Sequence, residues 1–429
     1  MNKKVIDWDF TTNATPEEIL KLFPEGFYDN QFGTVGIAHE SSPKPYEITT
    51  FRREIGYSDK RRPDRVEWGK TLEEDLARRD FTINAMALKV YGLPTTNYRK
   101  TVDGRLLTID CNLIDPFGGQ EDLRKKIIKA VGDPVARFNE DALRMMRAVR
   151  IAAELGFTIE HETFEAIKRH AESIKIIAAE RIRDELFKIL KSDYPYEGII
   201  IMRNCGLSEQ VMPEFEETFG VEQKSPERHH IYDVGTHSLL ALKNCPSKNP
   251  LVRFSTLIHD IGKPKTQKVT EGGVITFYNH EVVGAGIAKR IADRLRFSNK
   301  ERGKLFRLVR WHQFTVDERQ TDSAIKRFIR NVGTENVQDM LDLRVGDRLG
   351  GGARETSWRL EKFKKRLEEV QKQPFSIKDL KVGGNDVMHI LGIKPGPKVG
   401  EVLEQLFKEV EENPSKNTRE HLLQRIKEC

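Results

Sequence analysis

Cysteine is scarce in this chain: four in 429 residues, at Cys111, Cys205, Cys245 and Cys429. They are widely scattered and make no C-x-x-C pair, which argues against a zinc ribbon or a disulfide framework and fits a reducing compartment. Long apolar runs are missing too. Nothing approaches the roughly 18 consecutive apolar residues that cross a bilayer. The opening Met1-Asn2-Lys3-Lys4-Val5-Ile6-Asp7 leads into acidic residues rather than a signal-peptide core, so a cytoplasmic protein with no membrane partner is expected. Internal repeats and low-complexity tracts are also absent. What is present is globular: 38% hydrophobic and 32% charged residues, with 31 Gly and 18 Pro, too ordered a composition for a disordered tail. The length excludes one small domain. Lys and Arg (72) exceed Asp and Glu (66), a modest excess that suits a polyanionic partner and an ordinary solvated surface alike.

The first 118 residues alternate and turn. Val35-Gly36-Ile37-Ala38, Tyr46-Glu47-Ile48-Thr49-Thr50-Phe51 and Val66-Glu67-Trp68 look like short strands between Gly, Pro and Asp signals. Helical periodicity takes over afterwards: Asn139 is read as the cap of a helix through 140–154, Thr163 starts a run to Ala171, and Ala179–Lys191 is amphipathic. Residues 207–228 carry no clear period and mark a boundary. Gly350-Gly351-Gly352 marks another, before a charged helix at 356–373.

Asp7-Trp8-Asp9 follows a short apolar strand, Val5-Ile6, and residues i and i+2 of a strand share a face. Such paired carboxylates suit Mg²⁺, and Glu47 on a later strand is a candidate third oxygen donor. A lone D-x-D is by itself more often plain surface.

The order of motifs resolves that choice. Asp7-Trp8-Asp9-Phe10-Thr11-Thr12, then Glu47-Ile48-Thr49-Thr50-Phe51-Arg52, then Arg78-Arg79-Asp80-Phe81-Thr82-Ile83-Asn84-Ala85 resemble the successive motifs of class II tRNA nucleotidyltransferases. These are the CCA-adding enzymes, which share a catalytic head with bacterial poly(A) polymerases. The resemblance implies an α/β nucleotidyltransferase head at 1–118, a small mixed sheet with helices. An all-α neck at 119–206, an HD-type body at 207–350 and a tRNA-contacting tail at 351–429 would follow. It implies that Asp7 and Asp9 hold catalytic Mg²⁺, that Glu47 takes the proton of the primer 3′-hydroxyl, and that Arg79, Asp80 and Asn84 hold ribose and phosphates. Arg79-Asp80 is also explained by a local salt bridge. Asn139-Glu140-Asp141-Ala142-Leu143-Arg144-Met145-Met146-Arg147-Ala148-Val149-Arg150 resembles the protein template that chooses C or A. Asp141 and Arg144 would face a base edge, and Arg147 and Arg150 phosphate, although an isolated E-D-x-x-R is usually a salt-bridged helix surface. Tyr57-Ser58-Asp59-Lys60-Arg61-Arg62-Pro63 looks like the family's flexible loop for the switch from C to A. The partners implied are tRNA, CTP and ATP, without DNA.

His237, His259-Asp260 and Asp347 occur in the order H…HD…D, read as lying on helices, and resemble the HD phosphohydrolase domain. Imidazole and carboxylate together suit Mn²⁺, Ni²⁺ or Mg²⁺, with His280 and His312 as candidates for a second ion. One family feature is missing. The head normally begins with a helix and a Gly-Gly-x-Val-Arg-Asp stretch, whereas Met1 stands six residues before Asp7. Either translation starts upstream, or the polymerase site has diverged, so the head is expected to be N-terminally incomplete. The rival readings are a poly(A) polymerase, an HD metal-dependent phosphohydrolase whose inactive head only binds RNA, and a pure RNA-binding protein.

Overall fold

The computed structural model describes residues 8–29, 33–38, 44–56, 65–90, 111–223, 232–314, 320–371 and 377–429. Asp7, the Val5-Ile6 segment and the Tyr57–Pro63 loop lie outside them. The chain divides into two units, Met1–Phe219 with Arg290–Ser298, and Gly220–Lys289 with Asn299–Cys429. Among the described residues the fold is a mixed head of small sheets and helices, followed by a helical remainder whose strands are two residues long.

In the first unit, β1 (Asp9–Thr12), α1 (Pro16–Leu22), β2 (Phe27–Asp29), β3 (Thr34–Ile37) and β4 (Tyr46–Thr50) build a four-stranded sheet in the order β1-β4-β3-β2. β1 runs parallel to β4, and the other pairs are antiparallel. A parallel pair needs a long crossover, and α1 provides part of it. Pro16 opens α1, and Thr15 and Glu18 form a reciprocal capping box. Two hairpin pairs follow: β5 (Arg52–Ile55) with β6 (Arg65–Trp68), and β7 (Ala87–Val90) with β8 (Cys111–Ile114). Between them lies α2 (Leu72–Ala77).

The helical part continues with α3 (Gly119–Lys125), β9 (Ile127–Ile128), α4 (Pro134–Glu140), α5 (Leu143–Leu155), β10 (Thr158–Ile159), α6 (His161–His170), α7 (Ala179–Lys191), α8 (Pro195–Asn204), α9 (Leu207–Val211) and α10 (Pro213–Glu216). The helix expected over 140–154 with Asn139 as its cap is two helices. Asp133 caps α4, accepting from the N–H groups of Val135 and Ala136, so Asn139 falls inside it. The break comes at Asp141, whose backbone is extended (φ −145°, ψ 107°) and whose carboxylate accepts the Leu143 N–H that α5 leaves unpaired. Leu143, Met145, Met146, Ala148 and Val149 of α5 are buried, which leaves Arg144, Arg147 and Arg150 on the half-exposed side. α7 spans the run expected of it, Ala179–Lys191, and packs with α8 against α5.

The second unit is built from α11 (Val234–Lys243), α12 (Pro250–Leu257), α13 (Lys263–Thr266), a hairpin of β11 (Lys268–Val269) and β12 (Ile275–Thr276), the first ten residues of α14 (His280–Arg294), α15 (Asn299–Trp311), α16 (Asp322–Val332), α17 (Val337–Gly350), α18 (Trp358–Gln371), α19 (Gly384–Leu391), α20 (Pro397–Glu412) and α21 (Arg419–Lys427). α11 packs closely on α17, where a Cβ at Gly346 or Gly350 would stand 2.7 or 2.5 Å from Ala241 backbone atoms. Only glycine permits that approach. The tail forms its own core from Val387, Val402, Leu406, Val410, Leu422 and Ile426.

Glu409 ties that tail core together, accepting hydrogen bonds from Lys416 Nζ at 2.7 Å and Arg425 Nε at 2.9 Å. Those donors, Lys416 first, lower its pKa from 4.5 to about 2. A carboxylate depressed on folding stabilises the fold above its unfolded pKa and loses that contribution as pH falls through the folded value. The tail is therefore expected to loosen between about pH 4.5 and pH 2, in a step that Glu409→Gln removes, as read by acid titration of circular dichroism.

Candidate functional site

The sheet brings the first pair of candidates together by register. Asp9 opens β1, and its partner across the parallel ladder is Glu47 of β4. Directly paired residues of adjacent strands point to the same face, and both carboxylates are solvent-exposed. Hydrogen bonds fix the two strands: Thr11 Oγ1 donates to the Thr49 carbonyl at 3.1 Å, and Thr50 Oγ1 to that of Ala14 at 2.8 Å. Two carboxylates one strand spacing apart offer the hard oxygen donors that a divalent cation accepts.

A second group forms where α2 meets the Thr82–Asn84 turn and α5. Asp80 is 8% exposed; one oxygen accepts from the Phe81 N–H at 2.9 Å and from Asn84 at 3.3 Å, and the other from Arg147 Nε at 2.8 Å. Asp80, Asn84 and Arg147 thus stand together. Arg79 points instead to Asp75 Oδ2, 3.5 Å away. Asp141 and Arg144 do not pair with each other: Asp141 holds Arg181 at 2.8 Å, while Arg144 pairs with Glu140 and reaches the carbonyl of Arg78 at 3.4 Å. Arg150 is ion-paired with Glu185 at 3.1 Å.

Three residues in this region escaped the sequence reading. Asp75 is fully buried and receives Arg78 Nε at 3.0 Å as well as Arg79. Its spacing of three and four before the two arginines was a legible signal. Arg181 and Glu185 lie four apart on α7, which puts them on one face, but nothing local in the sequence names Asp141 and Arg150 as their partners. At the head's end, burial pushes the Asp115 carboxyl up, yet the N–H groups of Gln120 and Gly119 that donate to it hold it below its ordinary value.

In the second unit six side chains converge. His237 lies on α11, Asp347 on α17 and His280 at the start of α14. His259 and Asp260, expected on a helix, occupy the turn just after α12, and His312 follows α15. The turn is needed because Asp260 faces both histidine pairs at once. It is allowed by Gly262, where a Cβ would stand 2.1 Å from the carbonyl of His280. His237, His259 and Asp347 form one cluster, and Asp260, His280 and His312 another. The Nδ1 atoms of His259, His280 and His312 each donate at 2.7 Å to the carbonyl three residues earlier. That bond fixes the ring and turns Nε2 inward, the outer-shell arrangement of metal-ligating histidine. Burial opposes protonation of His259, but Asp260 and Asp347 push its pKa upward, and the positive charge beside them holds both carboxylates well below the usual range against their own burial. The donor set fits a cation. Lys263, 2.6 Å from Asp260, and Arg344, 3.0 Å from Asp347, complete the charge balance and were not singled out from the sequence.

The described residues contain no helix long and apolar enough to cross a membrane, and all four cysteines are free.

Family models match three segments: the poly A polymerase head domain at residues 1–129, a probable RNA- and SrmB-binding site of polymerase A at 156–219, and a putative tRNA nucleotidyltransferase domain 2 at 283–426. The chain is 33% identical to the A-adding tRNA nucleotidyltransferase of Deinococcus radiodurans, over 78% of this chain and 74% of that one. It is 32% identical to the CCA-adding enzyme of Pediococcus pentosaceus, over 95% and 85%. Among solved structures, the Bacillus stearothermophilus CCA-adding enzyme in complex with CTP is similar with a TM-score of 0.68 at 26% identity, covering 99% of this chain and 89% of that one.

Removing one partner from a buried charge pair leaves the other uncompensated, at about 3–5 kcal/mol. Asp75→Ala is therefore expected to lower the unfolding free energy by about 3 kcal/mol, measured by urea denaturation. Glu121→Ala, which breaks exposed ion pairs with Arg124 and Lys125, should leave the denaturation midpoint nearly unchanged.

Proposed function

The chain belongs to the tRNA nucleotidyltransferase and poly(A) polymerase family, and on that basis we propose that it adds CCA to tRNA 3′ ends from CTP and ATP, without a nucleic acid template. The observation that carries this reading is the pairing of Asp9 with Glu47 across the β1–β4 ladder. With Asp7, which the family resemblance adds, these carboxylates would hold Mg²⁺. When bound, Mg²⁺ supplies charge neutralisation at the α-phosphate and the departing pyrophosphate. The primer 3′-oxygen forms the new bond to the α-phosphorus, the bond to the bridging oxygen breaks, and pyrophosphate leaves with the electron pair. Glu47 takes the hydroxyl proton. Arg79, Asp80, Asn84, Arg147 and Arg150 hold the ribose and phosphates, and Asp141 and Arg144 read the base edge. The reaction belongs in the cytoplasm, where free thiols persist.

A second activity is supported by the cluster in the other unit. His237, His259, Asp260 and Asp347 would hold Mn²⁺, Ni²⁺ or Mg²⁺ for phosphoester hydrolysis, the ion supplying positive charge at the phosphorus when bound. Water's oxygen bonds to phosphorus, the ester P–O bond breaks, and the leaving oxygen takes the proton.

The test of the first activity is incubation with Mg²⁺, CTP and ATP of tRNAs ending at the discriminator base, at C and at CC. Ordered addition of C, C and A is expected, reduced about 10²- to 10³-fold or more in Asp9→Ala and in Glu47→Ala. Addition of A alone to the CC-ended tRNA would make the protein an A-adding enzyme, as the Deinococcus radiodurans relative is named. Repeated A on an unrelated RNA would make it a poly(A) polymerase.

A further inference from the structure

Asp75 stands within α2 with none of its surface exposed, and its two oxygens carry different loads. Oδ1 accepts from Arg78 Nε at 3.0 Å, from Arg78 Nη2 at 2.8 Å and from the backbone N–H of Arg52 at 3.4 Å. Oδ2 accepts from Arg79 Nη2 at 3.5 Å. Both oxygens lead to the candidate site. Arg52 opens β5 directly after Phe51, whose N–H donates at 2.7 Å to the carbonyl of Thr12, the last residue of β1. One arm of Asp75 therefore reaches the sheet that carries Asp9 and Glu47. Arg79 immediately precedes Asp80, so the other arm reaches the group formed by Asp80, Asn84 and Arg147.

α2 gives that carboxylate a fixed position. Leu76, next to it, is buried with Ala85 and Val131. The carbonyls at the end of the helix, those of Ala77 and Arg78, accept from Arg137 Nη1 at 3.1 Å and Arg144 Nη2 at 3.4 Å. Arg79 is the unfinished member. Its Nε is buried with no acceptor, although the side chain as a whole is 33% exposed, and it shares its carboxylate with Arg78, which holds Asp75 through two nitrogens. A guanidinium is planar, so tying one nitrogen to Asp75 sets the direction of the remaining N–H groups. A buried donor without an acceptor is costly, more so on a charged group, and an anion's oxygen is what this one lacks.

Resting on the reading of this unit as a nucleotidyltransferase head, we propose that Asp75 is a positioning residue for nucleotide binding: it fixes the Arg79 fork so that Nε meets a phosphate oxygen of the incoming nucleoside triphosphate. Asp75 touches no substrate. It acts through Arg79, and through the Arg52 N–H it ties that fork to the strands of the Asp9–Glu47 pair, so phosphates and carboxylates keep a fixed relation to each other.

The distinguishing variant is Asp75→Asn. An amide offers one oxygen and one NH₂ group. The oxygen stays where the Arg78 and Arg52 donors converge, which sets the NH₂ against Arg79 Nη2, donor to donor, and releases Arg79 alone. Binding of CTP and of cytidine to the full-length protein is measured by calorimetric titration and competition, with Mg²⁺ and without tRNA, and the fold of each variant is checked by thermal unfolding. The wild-type protein should bind CTP far more tightly than cytidine. Asp75→Asn should weaken CTP roughly tenfold and leave cytidine within about twofold. Added to Arg79→Met it should change nothing further, since a residue that acts through another loses its effect when that other is removed. Arg79→Lys should weaken CTP to a similar degree, because one ammonium cannot hold Asp75 and a phosphate as a fork does, and this arm needs no change at Asp75. CTP and cytidine weakened alike in Asp75→Asn would show a carboxylate that only supports the fold, and wild-type CTP affinity in Arg79→Lys would show that no fork is being aimed. Either result overturns the proposal. A wild-type protein that does not prefer CTP to cytidine would remove the nucleotide reading itself, and the role of Asp75 with it.

Discussion

A carboxylate taken out of water must be met by positive charge, because its desolvation costs several kcal/mol that only a well-placed partner offsets. The four most deeply buried carboxylates among the described residues obey this. Asp75 is held by Arg78, Asp80 by Arg147, Glu185 by Arg150 and Lys188, and Asp260 by Lys263 and its histidines. The identity of the partner sets what each acid can do. Around the first three acids the charge is guanidinium or ammonium, which keeps its proton at neutral pH, so those pairs are permanent and fix the side chains that share them. Around Asp260 most of the partners are imidazoles, whose neutral form presents a lone pair, so the same carboxylate can exchange a proton's charge for a cation's.

Backbone proximity decides how sharply that cluster is aimed. α11 and α17 touch at Ala241 against Gly346 and Gly350, one turn from His237 and next to Asp347. The Asp260 turn meets the start of α14 through Gly262, at the carbonyl of His280 itself. Both contacts lie within a residue or a turn of a proposed ligand. An added methyl would have to move backbone rather than the end of a flexible side chain, so the positions of the six side chains are coupled to three glycines that carry no chemistry of their own.

The strands and the long helices were legible because periodicity records which face is buried: Val35–Ala38 and Tyr46–Phe51 fall on β3 and β4, and Ala179–Lys191 on α7. The family motifs, too, could be read from residue order, and the three head motifs fall within the segment that matches the poly A polymerase head domain. The register that joins Asp9 to Glu47 could not, since strand pairing depends on 37 residues of intervening chain closing in one way. The break at Asp141 was missed for a related reason. Periodicity runs straight through it, with Leu143, Met145 and Met146 buried, and only the carboxylate's bond to Leu143 N–H marks the restart. Partners such as Arg181 and Lys263 become visible only when helices far apart in sequence are laid side by side.

The arginines of α5 are already engaged before any nucleotide arrives, and this constrains how they could serve one. Arg147 contacts Asp80 through Nε and one terminal nitrogen and is 41% exposed, so its remaining N–H groups can meet a phosphate without releasing Asp80. Releasing it would strand a buried carboxylate. Arg144 directs its terminal nitrogens at Glu140 and the carbonyls of Arg137 and Arg78, so a base meets a guanidinium whose plane is already set. That orientation is the same for either base and therefore does not choose between them. Asp141 differs. Each of its oxygens accepts one protein hydrogen bond, from Leu143 N–H and from Arg181, and a carboxylate oxygen has room for two. It can accept the exocyclic amine that C and A share without giving anything up, whereas the carbonyl that U and G present at the same edge would meet it lone pair to lone pair. On the proposed reading, rejection of U and G rests on Asp141, held in place by Arg181, and Arg144 supplies orientation.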